Sequence, residues 1–384
     1  MKTIYLDHNS TTPLHPEVLE AMLPYYKEFY GNASSIHSKG REARSAVDKA
    51  REAVGNFLGT EAVDIVFTSG GTESDNFAIK GVAFQNRDKK DHIITSMIEH
   101  SAVLNTCKFL EKMGFKITYL PVDKYGMVNP ADVQNAITEK TILVSIMHAN
   151  NEVGTVQPIG EIGKITRERG VYLHTDAIQS VGKIKTNVEE LKVDLLSMSA
   201  HKFYGPKGCG ALYIRKGVKI MPYQHGGQHE RRMRAGTEDV PGIVGMGKAI
   251  ELAMQDMEEK SKRIKNLAEY LYRGLMERLD HVHLNGHPTE RIPGTLNLGF
   301  EFVEGEGLIL NFDMKGICAA TGSACTSGSL EPSHVLVAMG CDPVITQGAI
   351  RFSLGNSNTS EDMDYCLEVI PPIVKRLRAM SPLL

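Results

Sequence analysis

Lys202, in the stretch Ser199-Ala-His-Lys202-Phe-Tyr-Gly-Pro-Lys-Gly208, has surroundings that suit covalent amine chemistry. The apolar run Val193-Asp-Leu-Leu-Ser-Met198 ahead of it reads as a buried strand, and the Gly205-Pro206 breaker places Lys202 at the carboxyl end of that strand, where open α/β sheets bind ligands. Desolvation there disfavours the ammonium, so a neutral amine able to condense with an aldehyde is within reach near neutral pH. A second run, Val171-Tyr-Leu-His-Thr-Asp176, ends in a carboxylate as it leaves the sheet. Taken alone, Lys202 reads as a surface residue and Asp176 as a helix cap. Together, at the ends of two strands, they make a base and an acid that one ligand could bridge.

Pyridoxal 5'-phosphate needs that pair: a lysine to hold its aldehyde as a Schiff base, and a carboxylate to keep its ring nitrogen protonated so that the ring can withdraw electrons. Gln179, three residues past Asp176, is within reach of the ring's phenolic oxygen. The phosphate needs its own seat. Val63-Asp-Ile-Val-Phe-Thr68 runs into Ser69-Gly-Gly71-Thr72 and then into a helical pattern. Backbone N–H groups and the positive dipole end at such a helix start hold a dianion, with the Thr72 hydroxyl beside them. No Gly-x-x-x-x-Gly-Lys-[Ser/Thr] loop is present, and Gly205-Pro-Lys-Gly208-Cys-Gly210 has its glycines in the wrong order for a dinucleotide fingerprint, so nucleotide binding is not expected.

Along nearly its whole length the chain resembles the cysteine desulfurases of the NifS- and IscS-like group, in the class-V aminotransferase family of fold-type-I pyridoxal-phosphate enzymes. The resemblance is carried, in order, by Tyr5-Leu-Asp-His-Asn-Ser-Thr-Thr-Pro13, Gly31-Asn-Ala-Ser-Ser-Ile-His37, Ser69-Gly-Gly-Thr-Glu-Ser74, Glu99-His100 and His148-Ala-Asn-Asn-Glu-Val-Gly154. It continues through His174-Thr-Asp-Ala-Ile-Gln179, Ser199-Ala-His-Lys202, Arg234-Ala-Gly-Thr-Glu-Asp239, Gly322-Ser-Ala-Cys325-Thr-Ser and Ile350-Arg-Phe-Ser353. The resemblance implies that Lys202 binds the cofactor covalently, Asp176 pairs with the ring nitrogen, Gln179 meets the phenolic oxygen and His100 stacks on the ring. Gly71, Thr72, Ser199, Ala200 and His201 would line the phosphate end, and Asn151 would lie beside the ring or the substrate carboxylate. Arg351, helped by Asn32, would clamp that carboxylate, a planar bidentate task suited to a guanidinium. Thr237 would reach the phosphate of a neighbouring subunit, which implies a homodimer.

Cys325 would separate a desulfurase from other chemistries of this cofactor, such as an aminotransferase or lyase of the same fold; selenocysteine lyase is the nearer alternative. It sits among small residues, Ala319-Ala-Thr-Gly-Ser-Ala-Cys325-Thr-Ser-Gly-Ser-Leu330, a composition that pins a loop weakly. The resemblance implies that this thiol takes sulfur from L-cysteine as a persulfide, leaving L-alanine, and passes it to an acceptor such as an iron-sulfur scaffold protein. No resident metal is implied, although Cys325 would touch a cluster during such a transfer. Cys107, Cys318 and Cys366, with apolar or helical neighbours, read as inert.

The elements that must position these groups follow from periodicity. Strand-like and helical patterns alternate from about 60 to 215, as in a mostly parallel sheet with helices on both faces, seven strands by resemblance. A charged helix is expected over 256–280, with Ile264, Leu267, Leu271, Leu275 and Leu279 on one face. Beyond it, Thr295–Leu298, Ile317–Ala320 and Ala349–Ser353 would form a small sheet under a helix at about 360–379. The expected organisation is α/β: a large cofactor-binding domain over 14–255 and a smaller α+β domain from 1–13 and 256–384.

With 43 Lys+Arg against 46 Asp+Glu, the formal charge of -3 offers no basic surface for nucleic acid. Six cysteines without Cys-x-x-Cys spacing suggest neither a disulfide framework nor a zinc site, and a reducing, cytoplasmic setting fits. His281-Val-His283 with His287 reads as an incidental cluster in a polar turn. No signal, transit or membrane segment is expected. In the IscS-like branch a C-terminal tail helps to dock the scaffold; here the sequence ends at Leu384, soon after its last helix, so docking through such a tail is not expected.

Overall fold

A computed structural model describes residues 3–321 and 332–381. Its largest element is a seven-stranded sheet built from β2 (Ile65–Thr68), β3 (His92–Ser96), β4 (Lys116–Leu120), β5 (Thr141–Ser145), β6 (Tyr172–Asp176), β7 (Leu195–Ser199) and β8 (Gly210–Ile214). The order is β2-β8-β7-β6-β5-β3-β4. All neighbours are parallel except those of β8, which runs against both β7 and β2.

Strands buried on both faces read as continuous apolar runs, and β2, β3, β5 and β7 are buried at every position. Alternation then sends successive side chains to opposite layers. Ile65, Phe67, Val144, Leu173 and Leu196 join the core under the helices Ser38–Leu58, Ile159–Arg169 and Val240–Arg278. Val66, Ile93, Leu143, Leu195 and Leu212 pack with Phe77, Val82, Val103 and Leu110 of the helices Gly71–Asn86 and Ser101–Lys112.

The smaller sheet has the antiparallel order β12-β13-β10-β9, from β9 (Val282–Asn285), β10 (Thr295–Phe300), β12 (Ala320–Thr321) and β13 (Ala349–Ser353). A separate parallel pair joins β1 (Ile4–Tyr5) to β11 (Ile317–Cys318). Ile4 and Leu6 enter the same core as Leu296, Phe352 and Leu367, so the N-terminal residues do pack with this part of the chain.

Three local expectations change. The run Ile317–Ala320 serves two partners, since Ile317–Cys318 pairs with β1 while Ala320 pairs with β13. His283 lies in β9, a strand whose polar residues hid it from a pattern search, and only His281 stands in the turn before it. The charged helix begins at Val240, capped by Asp239, and ends at Arg278 with Leu279 already extended. Glycines obscured its first half. A methyl on Gly247 would stand 2.8 Å from Ala50 Cα, so that glycine permits close helix packing. One residue, Asp256 (φ −149°, ψ 23°), interrupts the helix between its contacts with Ser38–Leu58 and those with the helix Ser360–Ala379.

Candidate active site

Strands β6 and β7 are parallel neighbours, with Asp176 opposite Ser197. Asp176 is the last residue of β6, and β7 ends at Ser199, one short turn (Ala200–Lys202) before Lys202. The N-terminal segment clasps that turn. Thr12 N–H and Thr12 Oγ1 both donate to the His201 carbonyl at 3.0 Å. Lys202 Nζ donates to the carbonyls of Asn9 (2.6 Å) and Ser10 (2.8 Å).

A cavity of about 340 Å³ opens at these strand ends. It is lined by Gly71, Thr72, Ser199 and His201, by His100, Asp176 and Gln179, and by Asn151, Lys202 and Arg351. A smaller hollow of about 60 Å³ lies across Lys202, against His8 and Met257. That volume takes a few water molecules but no aromatic ring, so the chemistry belongs to the larger space.

The end of the cavity at Gly71 is built from backbone. The helix Gly71–Asn86 leaves its first N–H groups without intrahelical partners, and Gly70 reaches it with φ 148°, a conformation open to glycine. Burial, with the nearby Lys202 and Lys207 cations, holds the His201 pKa down at about 4, and Thr11 Oγ1 faces its Nδ1 at 3.0 Å. This is a neutral cradle with a positive dipole end, which fits a phosphate dianion.

Asp176 accepts the Ile178 N–H at 2.9 Å. Burial pushes its pKa up, opposed by His100, that N–H and Lys202. Two further acids lie behind it. Burial and the Asp176 charge drive Asp75 well above the carboxylate range, while burial raises Glu99 to about 8. Glu99 Oε1 accepts from Ser96 Oγ (2.5 Å) and Met147 N–H (3.0 Å). Of the three acids, Asp176 is the one that lines the cavity, where a ring N–H cation would meet it.

His100 caps the helix Ser101–Lys112, its Nδ1 accepting the Ala102 N–H at 3.1 Å. Burial, foremost, lowers its pKa, so a neutral imidazole with its proton on Nε2 borders the cavity. Arg351 is 1 % exposed. It donates through Nη1 to the Asn151 carbonyl (3.0 Å) and through Nη2 to Asp7 Oδ1 (2.7 Å) and Ser10 Oγ (2.6 Å). Among the described residues its Nε has no hydrogen-bond partner, a buried donor that suits a carboxylate.

Other expected residues lie elsewhere. Ala200 is buried and does not line the cavity; its N–H donates to Cys209 O. Asn32 is exposed, its Oδ1 accepting the Ser34 N–H at 2.9 Å, and Thr237 is exposed as well, so neither reaches the cavity within one chain. Cys325 lies outside the described residues.

Residue patterns had not singled out Asn9, Ser10, Ile178, Asp75 or Lys183. Asn9 and Ser10 belong to the opening motif but carry no periodic signal. Asp75 had one: it falls on the helix stripe of Ala78, Ile79 and Val82, and an acid on a buried stripe marks a site. Elsewhere, His281 and His283 both hold Glu301, at 3.3 and 2.5 Å, and the described residues include no group of three or more His, Cys, Asp or Glu placed to hold a metal. Burial pushes the thiols of Cys107 and Cys366 up to about 12, and raises that of half-buried Cys318. Among the described residues no helix is long and apolar enough to cross a membrane.

The sequence profile of the class-V aminotransferases matches residues 4–366. A protein from Methanosarcina thermophila named cysteine desulfurase IscS is 58% identical over 382 residues, covering 100% of this chain and 94% of its own. A solved structure of a NifS-like protein superposes with a TM-score of 0.93 at 44% identity, over 98% of this chain and 100% of that one. Another, SspA in complex with cysteine, gives 0.83 at 38% identity, over 93% and 100%.

Proposed function

The chain belongs to the class-V aminotransferase family, and on that premise we propose that it is a pyridoxal-phosphate-dependent cysteine desulfurase, converting L-cysteine to L-alanine. The observation that carries this reading is the convergence of Lys202, Asp176, His100, Arg351 and the Gly71 helix start on one cavity. Pyridoxal phosphate, when bound, supplies a ring that withdraws electrons from the substrate's α-carbon. Gly71, Thr72, Ser199 and His201 hold the phosphate, Asp176 the ring nitrogen, Gln179 the phenolic oxygen and His100 the ring face.

Arg351 and Asn151 orient the substrate carboxylate. Lys202 Nζ, as a neutral amine, takes the proton from the α-carbon. Cys325 Sγ, as thiolate, attacks the substrate sulfur; an S–S bond forms as the Cβ–Sγ bond breaks, and the electron pair stays with the three-carbon fragment. That fragment takes two protons, one carried by His100 Nε2 to its β-carbon and the one that Lys202 Nζ returns to its α-carbon, and leaves as alanine, while the persulfide passes to an acceptor by thiol exchange.

The enzyme works as a cytoplasmic homodimer that serves a sulfur acceptor such as an iron-sulfur scaffold. Exposed Tyr26, Tyr30 and Ile36, near Asn32, supply an apolar face for the second subunit, and Thr237 lies free to enter its partner's site. The test is an absorbance spectrum before and after L-cysteine, with alanine and sulfide assays. Alanine with persulfide supports the reading, and a keto acid would indicate an aminotransferase. A preference for L-selenocysteine in competition would assign a selenocysteine lyase. Cys325→Ala should keep the cofactor colour and lose sulfide release; normal turnover removes Cys325 from the mechanism.

A further inference from the structure

Two cavity amides turn their oxygens toward one inward-facing lysine. Lys183 Nζ donates to Gln179 Oε1 at 3.0 Å and to Asn9 Oδ1 at 3.1 Å. The chain holds Lys183 in place: its N–H donates to the Ser180 carbonyl at 3.0 Å, and its own carbonyl accepts from Ser261 Oγ of the long helix at 2.6 Å. Gly182, before it, adopts φ 75°, and a methyl there would stand 2.7 Å from Phe203 Cβ. The turn therefore admits no other residue cheaply and delivers the lysine four positions after Gln179.

Lys202, Arg351 and His8 are the titratable groups that face it. Burial first, then the two cations, brings its pKa to about 7. As ammonium or as amine it keeps at least two N–H donors, enough for both amide oxygens. An amide whose oxygen is claimed must present its NH2 elsewhere. Asn9 Nδ2 goes to Thr295 Oγ1 (2.9 Å) and to the Asn151 carbonyl (3.2 Å). Gln179 Nε2 gives one N–H to the Asn9 carbonyl at 2.8 Å and keeps the other.

We propose that Lys183 is a positioning residue: by holding Gln179 Oε1 it fixes that amide so that an N–H, and not the oxygen, faces the phenolic oxygen of the cofactor. The role rests on the pyridoxal-phosphate reading above. Without Lys183 the amide can reverse and bring oxygen against oxygen, which strengthens proton binding at the ring's phenolic side.

The test is a pH titration of the cofactor's visible absorbance in the holoenzyme, for wild type, Lys183→Met, Lys183→Arg, Gln179→Ala and the Lys183→Met/Gln179→Ala double variant. Lys183→Met should raise the midpoint by about one pH unit, a tenfold change in proton affinity, and Lys183→Arg should stay near wild type. The double variant should match Gln179→Ala alone, because the lysine acts through that amide. An unmoved midpoint in Lys183→Met, or additive shifts in the double variant, overturns the proposal. So does a crystal structure of the wild-type holoenzyme with Lys183 Nζ beyond about 3.5 Å from Gln179 Oε1, a measurement that needs no variant to fold. A wild-type protein that takes up no cofactor colour sinks both readings, whereas a coloured wild type with an unmoved Lys183→Met sinks only this one.

Discussion

The backbone carbonyl of Asn9 accepts a hydrogen bond from Lys202 Nζ at 2.6 Å and another from Gln179 Nε2 at 2.8 Å. One main-chain oxygen from the N-terminal segment thus sets two cavity side chains that arrive from different strand ends. Its own side chain holds that oxygen still, through Thr295 Oγ1, the Asn151 carbonyl and Lys183. Asn9→Ala strips all three bonds, two of them buried, and their loss should cost about 1–3 kcal/mol of stability. Urea unfolding of the cofactor-free protein measures it; a change within about 0.5 kcal/mol, the range of an ordinary surface substitution, would remove Asn9 from the framework.

Arg351→Lys keeps a cation beside Asp7 but gives up the planar fork. Under the proposed role the KM for L-cysteine should rise about tenfold or more, with a smaller change in kcat, because a point charge cannot replace the directed N–H of a guanidinium. Steady-state alanine formation reads both constants. An unchanged KM would leave Arg351 as a purely structural partner of Asp7 and Asn151.

Glu99 makes stability depend on pH in a stated direction. An exposed glutamate ionises near 4.5, and burial holds Glu99 protonated to about 8. Its stabilising contribution is complete below 4.5 and is lost as pH rises toward 8, because the unfolded chain releases a proton that the folded one keeps, at no more than about 1.4 kcal/mol per pH unit. Glu99→Gln removes this loss, so its advantage in melting temperature over the wild type should grow from pH 5 to pH 8. A constant difference would mean that Glu99 is ionised in the fold.

The placement of Asp176 and Lys202 was legible in sequence because both stand at strand ends, where an apolar run stops at a polar residue. Asp176 and Lys202 were found that way, and the glycines before Thr72 announced the helix start. Asn9 and Lys183 were not, since their importance comes from pairings with Lys202 and Gln179 that no periodicity records. Strand β9 and the first half of the long helix were hidden for a related reason: His283 needs Glu301, and Gly247 needs Ala50, before either makes sense.

Two glycines near the start of the helix Gly71–Asn86 should respond differently to alanine. In Gly210→Ala the methyl would meet Gly70 Cα at 2.6 Å and Met198 O at 2.7 Å, both backbone atoms. In Gly71→Ala it would meet Ile178 Cδ1 at 2.1 Å, a side-chain tip that can turn. Gly210→Ala should therefore cost about 1–3 kcal/mol in thermal unfolding, and Gly71→Ala less. Gly71→Ala should instead weaken cofactor binding, since Ile178 lines the cavity that it would be pushed toward; equilibrium dialysis with pyridoxal phosphate tests this. Equal losses of stability would refute the contrast.

Strand β1 pairs with β11, Ile4 opposite Ile317. On the ribosome, therefore, the segment that carries Asn9 emerges ahead of a docking partner more than three hundred codons downstream. At about 5–20 residues per second that interval is roughly 15–60 s. Until it ends, the clasp over Lys202 has its bonds to His201, Gln179 and Asn151 but not the strand pairing that holds its outer end, so the seven-stranded sheet can assemble well before the segment is fully fixed.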